Sequence, residues 1–123
     1  MGVRAARKAA EAGADAIVVS NHGGRVQDGV PATAEVLPAI AREVGDDLKI
    51  LVDGGIRSGL DVFRALALGA NACLVCRPFA VVTYGAGAKG VSDYFAQLAR
   101  ELKDTMEMCG ARTVTDIDAD VLA

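Results

Sequence analysis

The sequence has no tryptophan, two tyrosines and three phenylalanines in 123 residues. The core expected from a hydrophobic content of 52% must therefore be built from Ala, Val, Leu and Ile. A basic excess is also missing: the net charge of −3 and a pI near 5.0 argue against nonspecific binding to nucleic acid. No apolar run is long enough to span a bilayer. The opening Met1-Gly2-Val3-Arg4-Ala5-Ala6-Arg7-Lys8 reads as a charged helix start rather than a secretory leader, so a soluble, cytoplasmic protein is expected. Cysteines are few and odd in number, which speaks against a disulfide framework. Cys73-Leu74-Val75-Cys76 does match C-x-x-C, but residues three apart on a strand point to opposite faces. With a single histidine and one distant cysteine, a metal shell is not expected either. Both cysteines read as small apolar residues of a buried strand.

Helix and strand alternate along the chain. A helix over 3–12 ends at Gly13, a strand follows over 15–19, and 20–31 is a polar, glycine-rich loop. The next helix lies within 32–44, and Pro38 either bends it or marks its regular start. Lys49 to Val52 is a second strand, closed by Asp53-Gly54-Gly55. Ser58 caps a helix over 59–68, with Asp61 in its first turn and Gly69 at its end. Ala72 to Val75 is a third strand, 78–87 is irregular, and a longer helix over about 91–108 stops at Gly110. Asp116 to Val121 is expected to add a last short turn.

The strands are continuous apolar runs, the pattern of parallel strands covered on both faces. The class is therefore α/β, built of parallel βα units. Three strands and about four helices fall short of a (β/α)8 barrel, which needs eight units and typically about 250 residues. A part of such a barrel, a small open sheet, or a half that assembles with another chain all remain open on these grounds.

Three loops at the strand ends carry chemistry, and parallel strands put them on one side. The first, Ser20-Asn21-His22-Gly23-Gly24-Arg25, holds the only histidine, able to move a proton near neutral pH, and a guanidinium able to grip a carboxylate. Asp28 stands three residues beyond Arg25 and could pair with it. The second, Asp53-Gly54-Gly55-Ile56-Arg57-Ser58-Gly59, leads into a helix N-terminus, a place where backbone N–H groups bind anions. The third, Cys76-Arg77-Pro78-Phe79, supplies a further arginine that could meet the same phosphate.

Taken together, these segments resemble the FMN-dependent α-hydroxy-acid oxidase/dehydrogenase family. The first loop, with Asp28-Gly29-Val30-Pro31-Ala32-Thr33, is similar to its active-site segment. The second loop, with Asp61 to Ala70, is similar to its FMN-phosphate segment, and Arg77-Pro78 to the next phosphate turn. Glu101 to Met106 and Gly110-Ala111-Arg112 resemble its C-terminal helix and tail. The resemblance covers the whole chain, 1–123, as one domain. It implies the C-terminal half of a TIM barrel holding FMN, with oxidation of a small L-2-hydroxy acid of the lactate or glycolate class to the 2-oxo acid. It implies His22 as catalytic base, Arg25 as carboxylate clamp and Ser20 near the flavin ring. Asp53, Gly54, Gly55, Ile56 and Arg57 match the ribityl-phosphate segment, and Cys76 and Arg77 the second phosphate turn. Cys76 stands where the family has glycine. The family's flavin-contacting lysine, its substrate tyrosines and the aspartate that orients its histidine have no counterpart.

Two readings from different classes follow: the C-terminal part of such an enzyme, completed by a missing N-terminal half, or a non-catalytic half-barrel that binds phosphate or flavin. The pair His22 and Arg25 argues against another FMN barrel, such as an isoprenoid isomerase. Three strands with bare edges predict a homo-oligomer or pairing with the missing half.

Overall fold

The computed structural model describes residues 2–122. Helix α1 (Val3–Glu11) leads through a turn at Gly13, where φ is 82°, into strand β1 (Ala16–Val19). Helix α2 (Thr33–Val44) then precedes β2 (Lys49–Val52). Helix α3 (Gly59–Ala67) precedes β3 (Ala72–Cys73), and α4 (Arg77–Met108) follows. Single helical turns at Val114–Asp116 and Ala119–Leu122 close the described chain, where the sequence predicted one turn over 116–121.

The three strands are parallel in the order β1-β2-β3. Ile17 lies beside Ile50, Val19 beside Val52, and Val52 beside Cys73. Side chains alternate along each strand. Val19, Ile50 and Val52 are buried with Leu37, Ile40 and Val44 of α2 and Ala6 of α1. This small-residue core agrees with the scarcity of aromatics. Arg7 of α1 also donates to the Glu43 carboxylate of α2 and ties the two helices together. A second cluster joins Phe63 and Ala67 of α3 to Ile117, with Leu102 and Met106 of α4 against it.

The opposite face of the sheet corrects the expectation of cover on both sides. Val18 is 50% exposed and Leu74 41%, because the helices that cover the sheet pack on its other face. Strand β3 is also shorter than predicted, with only the Leu74 N–H continuing the ladder to the Val52 carbonyl.

Helix α2 settles the question at Pro38. It starts five residues earlier, at Thr33, and runs through the proline.

The largest correction concerns 78–87, which is helical rather than irregular. In α4 the segments 77–86 and 88–108 meet at Gly87, whose φ of 56° and ψ of −142° are not helical. Phe79 and Tyr94 would stand about 22 Å apart along a straight helix. Their ring centroids are 5.0 Å apart, so the two segments fold back on each other as a hairpin. Gly90 permits this, since a Cβ there would collide with the Val82 carbonyl. Sequence periodicity missed the first segment because its glycines read as a loop, whereas packing makes them the hinge and the contact.

Candidate active site

The three strand-end loops meet around one open cavity of about 200 Å³. His22, Arg25, Asp53, Gly54, Gly55, Ile56, Arg57, Cys76 and Arg77 all line it, so nine of the ten residues singled out from sequence share one site. Ser20, the tenth, stands behind them. Its hydroxyl donates to Oδ2 of Asp53 at 2.8 Å and accepts from the His22 N–H at 3.1 Å, tying the first loop to the second. Gly23, Leu74 and Pro78 complete the lining.

The His22 turn is held in an unusual conformation. His22 has φ of 53°, the only described non-glycine residue in the left-handed region, and Gly23 and Gly24 follow at 65° and 70°. Such a conformation costs of order 1–3 kcal/mol at a side-chain-bearing residue. Asn21 offsets it: its Oδ1 accepts from the Gly23 N–H at 2.9 Å, and its amide donates to the Pro31 carbonyl at 3.3 Å. The result presents the imidazole outward, exposed at the cavity.

The Asp53 loop is built on β2. The Asp53 carbonyl accepts from the buried Thr33 hydroxyl at 2.7 Å, which anchors the loop to the start of α2. Gly54 and Gly55 have φ of 88° and 83°, a region that favours glycine. A Cβ at Gly55 would meet nothing within 4 Å, so the turn lies open on the cavity side. Oδ1 of Asp53 is buried and has no partner within the chain. A buried carboxylate oxygen without a donor is costly, and a hydroxyl or N–H arriving from a ligand would satisfy it.

At the helix N-terminus behind this loop, most of the N–H donors are taken within the chain. Asp61 Oδ2 takes the N–H groups of Arg57 and Ser58 and the Ser58 hydroxyl, all at 2.9–3.0 Å. Glu101 Oε2 takes the Gly59 N–H at 2.8 Å. Ser58 caps the helix as predicted, Asp61 completes a capping box with it, and the two carboxylates take the N–H groups of Arg57, Ser58 and Gly59. An anion in the cavity is left to the open Gly54-Gly55 turn and the arginines.

Arg25, Arg57 and Arg77 are not ion-paired among the described residues. The possible partner Asp28 instead accepts from the Gly29 N–H at 2.9 Å. The Arg77 guanidinium crosses from the third loop to the first: a Cβ at Gly23 would lie 3.3 Å from its Nη2. Three unpaired guanidiniums around one cavity concentrate positive charge there in a chain of net charge −3.

Cys76 is an exposed lining residue whose φ of −113° lies outside the left-handed region that favours glycine. Cys73, half-buried, has its thiol pushed up to about 11 by burial. Both, with Cys109, are free thiols.

Two positions were not legible as part of this site. The Tyr94 hydroxyl donates to the Arg57 carbonyl at 2.8 Å, and Glu101 accepts from Gly59. Burial raises the Tyr94 phenol above its ordinary 10, with Glu101 and Asp61 adding to the rise and Arg57 opposing it, so it stays a donor. No spacing rule links residues 94 and 101 to a loop some forty residues earlier; only the hairpin of α4 brings them there.

The FMN-dependent dehydrogenase family matches residues 1–123. The chain is 50% identical to an L-lactate dehydrogenase of Serratia proteamaculans (strain 568), over 95% of its own length and 31% of that protein. It is 52% identical to an L-lactate dehydrogenase of Stenotrophomonas maltophilia (strain R551-3), again over 95% of this chain and 31% of the relative. The chain thus spans about a third of the length of these relatives. Among solved structures, mandelate oxidase with benzoyl-formic acid superposes with a TM-score of 0.91 at 47% identity, over 94% of this chain and 34% of that one. Such neighbours are TIM-barrel flavoenzymes, and the three βα units correspond to part of that barrel. Among the described residues no helix is long and apolar enough to cross a membrane. The chain belongs to the FMN-dependent α-hydroxy-acid oxidase and dehydrogenase family, whose cofactor is FMN.

Proposed function

We propose that this chain is the C-terminal part of an FMN-dependent enzyme that oxidises a small L-2-hydroxy acid, of the lactate or glycolate class, to the 2-oxo acid. One observation carries this reading: a single cavity gathers an outward-facing imidazole, an arginine three residues on, and a glycine turn flanked by two more arginines.

The residues present fit the phosphate and ribityl end of FMN. The open Gly54-Gly55 turn, Arg57 and Arg77 would receive the phosphate, and the unpartnered Oδ1 of Asp53 would accept from a ribityl hydroxyl. Ser20, Ile56 and Cys76 would flank the cofactor. A cavity of about 200 Å³ lies below the roughly 300–1,000 Å³ of small-molecule pockets, so elements outside this chain would complete it. Bound FMN supplies an acceptor for the electron pair released from the substrate. Arg25 grips the substrate carboxylate through paired N–H groups, which orients the α-hydroxyl. An imidazole nitrogen of His22 then takes the hydroxyl proton.

The exposed sheet face and bare strand edges favour a second reading, a non-catalytic half-barrel that binds flavin phosphate and self-associates. Titration with FMN, followed by quenching of flavin fluorescence, tests what the two share. Saturable quenching is expected, with Arg57→Ala weakening it about tenfold; absence of quenching refutes both. Lactate or glycolate added without oxygen separates them. Flavin bleaching is expected only after mixing with the part of a lactate dehydrogenase relative that this chain does not match. No bleaching in the mixture supports the non-catalytic half-barrel.

A further inference from the structure

We propose that Tyr94 is a positioning residue that holds both phosphate-facing arginines in place, an inference that rests on the FMN-phosphate reading above. Two separate contacts of one side chain support it. Its hydroxyl donates to the main-chain carbonyl of Arg57 at 2.8 Å. Its ring meets Phe79 edge-on, with centroids 5.0 Å apart and planes at 70°. Phe79 lies two residues after Arg77, in the first turns of α4. The phenol therefore fixes the backbone of one arginine, and the ring fixes the helix start that carries the other.

Tyr94 reaches this place only through the turn at Gly87, which folds the second segment of α4 back over the first. That segment is seated independently of Tyr94: Gly59 packs directly on the backbone of Leu98 and Leu102, and Glu101 accepts its N–H. Its seat is therefore expected to survive loss of the Tyr94 hydroxyl. The carbonyl of Arg57 has no other donor among the described side chains. Without the phenol, the Arg57 peptide keeps only the hydrogen bond of its N–H to the Asp61 carboxylate, which leaves its carbonyl free. The Arg57 peptide plane can then tilt and carry the guanidinium away from the cavity.

Tyr94→Phe removes the hydroxyl and keeps the ring. Loss of one neutral hydrogen bond predicts about fivefold weaker FMN binding. FMN is titrated into the wild-type chain, Tyr94→Phe, Arg57→Ala and the double variant, with thermal unfolding of each recorded alongside. Fivefold weakening by Tyr94→Phe in the wild-type background, and none added in the Arg57→Ala background, supports positioning through Arg57. Equal weakening in both backgrounds overturns it, since the phenol would then act on the fold and not on the arginine. Weakening by Arg57→Ala with none from Tyr94→Phe overturns the Tyr94 role and leaves the phosphate reading intact. No effect of Arg57→Ala overturns the phosphate reading and this inference together. Phe79→Leu, which removes the edge contact alone, provides a second variant and is expected to weaken FMN binding two- to threefold, about the worth of one aromatic pair; no change overturns the link to Arg77.

Discussion

Replacing Gly59 with alanine tests how α3 is held. A Cβ at this position would meet the Leu98 carbonyl oxygen at 2.5 Å and the Glu101 carbonyl carbon at 2.6 Å, and would collide outright with the Leu102 nitrogen. All three are backbone atoms of α4, so no side chain can swing aside. Ordinary contact between such atoms is about 3.5 Å, so the helices must separate by about 1 Å. A gap of that size forfeits roughly a quarter to a half of the attraction across the contact. It would loosen the cluster of Phe63, Ala67, Leu102 and Met106 and stretch the hydrogen bond from Gly59 to Glu101. Overpacking typically costs about 1–3 kcal/mol, and a strained hydrogen bond adds about 1 kcal/mol, so a loss of about 3 kcal/mol is expected. Urea denaturation of both proteins measures it. Gly55→Ala is the control: φ of 83° with open space around the Cβ gives only the conformational penalty, about 1–2 kcal/mol. If Gly59→Ala unfolds within about 0.5 kcal/mol of the wild type, then α3 and α4 are not in the close contact described.

Two solution measurements follow. Cys76 and Cys109 are exposed, whereas the Cys73 thiol is pushed up to about 11 by burial. A thiol-specific disulfide reagent at about pH 8 should therefore titrate two thiols quickly and the third only on unfolding; three fast thiols would contradict the packing of β3. Glu101 accepts from the Gln97 amide and the Gly59 N–H, with Arg100 assisting, which holds its carboxyl below the ordinary 4.5 despite Asp61 nearby. A depressed carboxyl stabilises the fold above its unfolded value and loses that contribution as pH falls through the folded one. Urea midpoints should therefore drop on acidification below 4.5, and less steeply in Glu101→Gln. Parallel profiles would show that the carboxylate is not engaged at Gly59.

How much of this was legible beforehand depends on the range of the forces involved. The His22 turn, the Gly54-Gly55 turn and the cap at Ser58 are set by residues within a few positions of one another. Their glycines and polar side chains announced them, and the structure gathers nine of the ten chosen residues at one cavity. The internal partner of the α3 N-terminus was hidden for the opposite reason. Glu101, forty-two residues on, fills one of its donors, and no local pattern reveals that. The first segment of α4 was misread because Pro78, Gly85 and Gly87 lie close together, and proline and glycine are poor helix formers. In the folded chain Gly90 is a point of contact between two helical segments and Gly87 the turn between them. Strand runs such as Ile17-Val18-Val19 are apolar at every position, which anticipates cover on two faces; α1 and α2 supply only one.

Parallel strands also leave the two ends of the sheet unlike each other. The turns that enter the strands lie opposite the cavity, and they are not equivalent. At Gly69 a side chain would strike the Ala41 methyl, and Asn71 accepts from the Ile50 N–H at 2.7 Å. Between Val44 and Leu48, in contrast, Asp46 and Asp47 are exposed and make no side-chain hydrogen bond or ion pair among the described residues. That turn is the natural point of attachment for a fluorophore, a purification handle or an inserted domain, placed where it can report on the protein without standing in the path of a ligand.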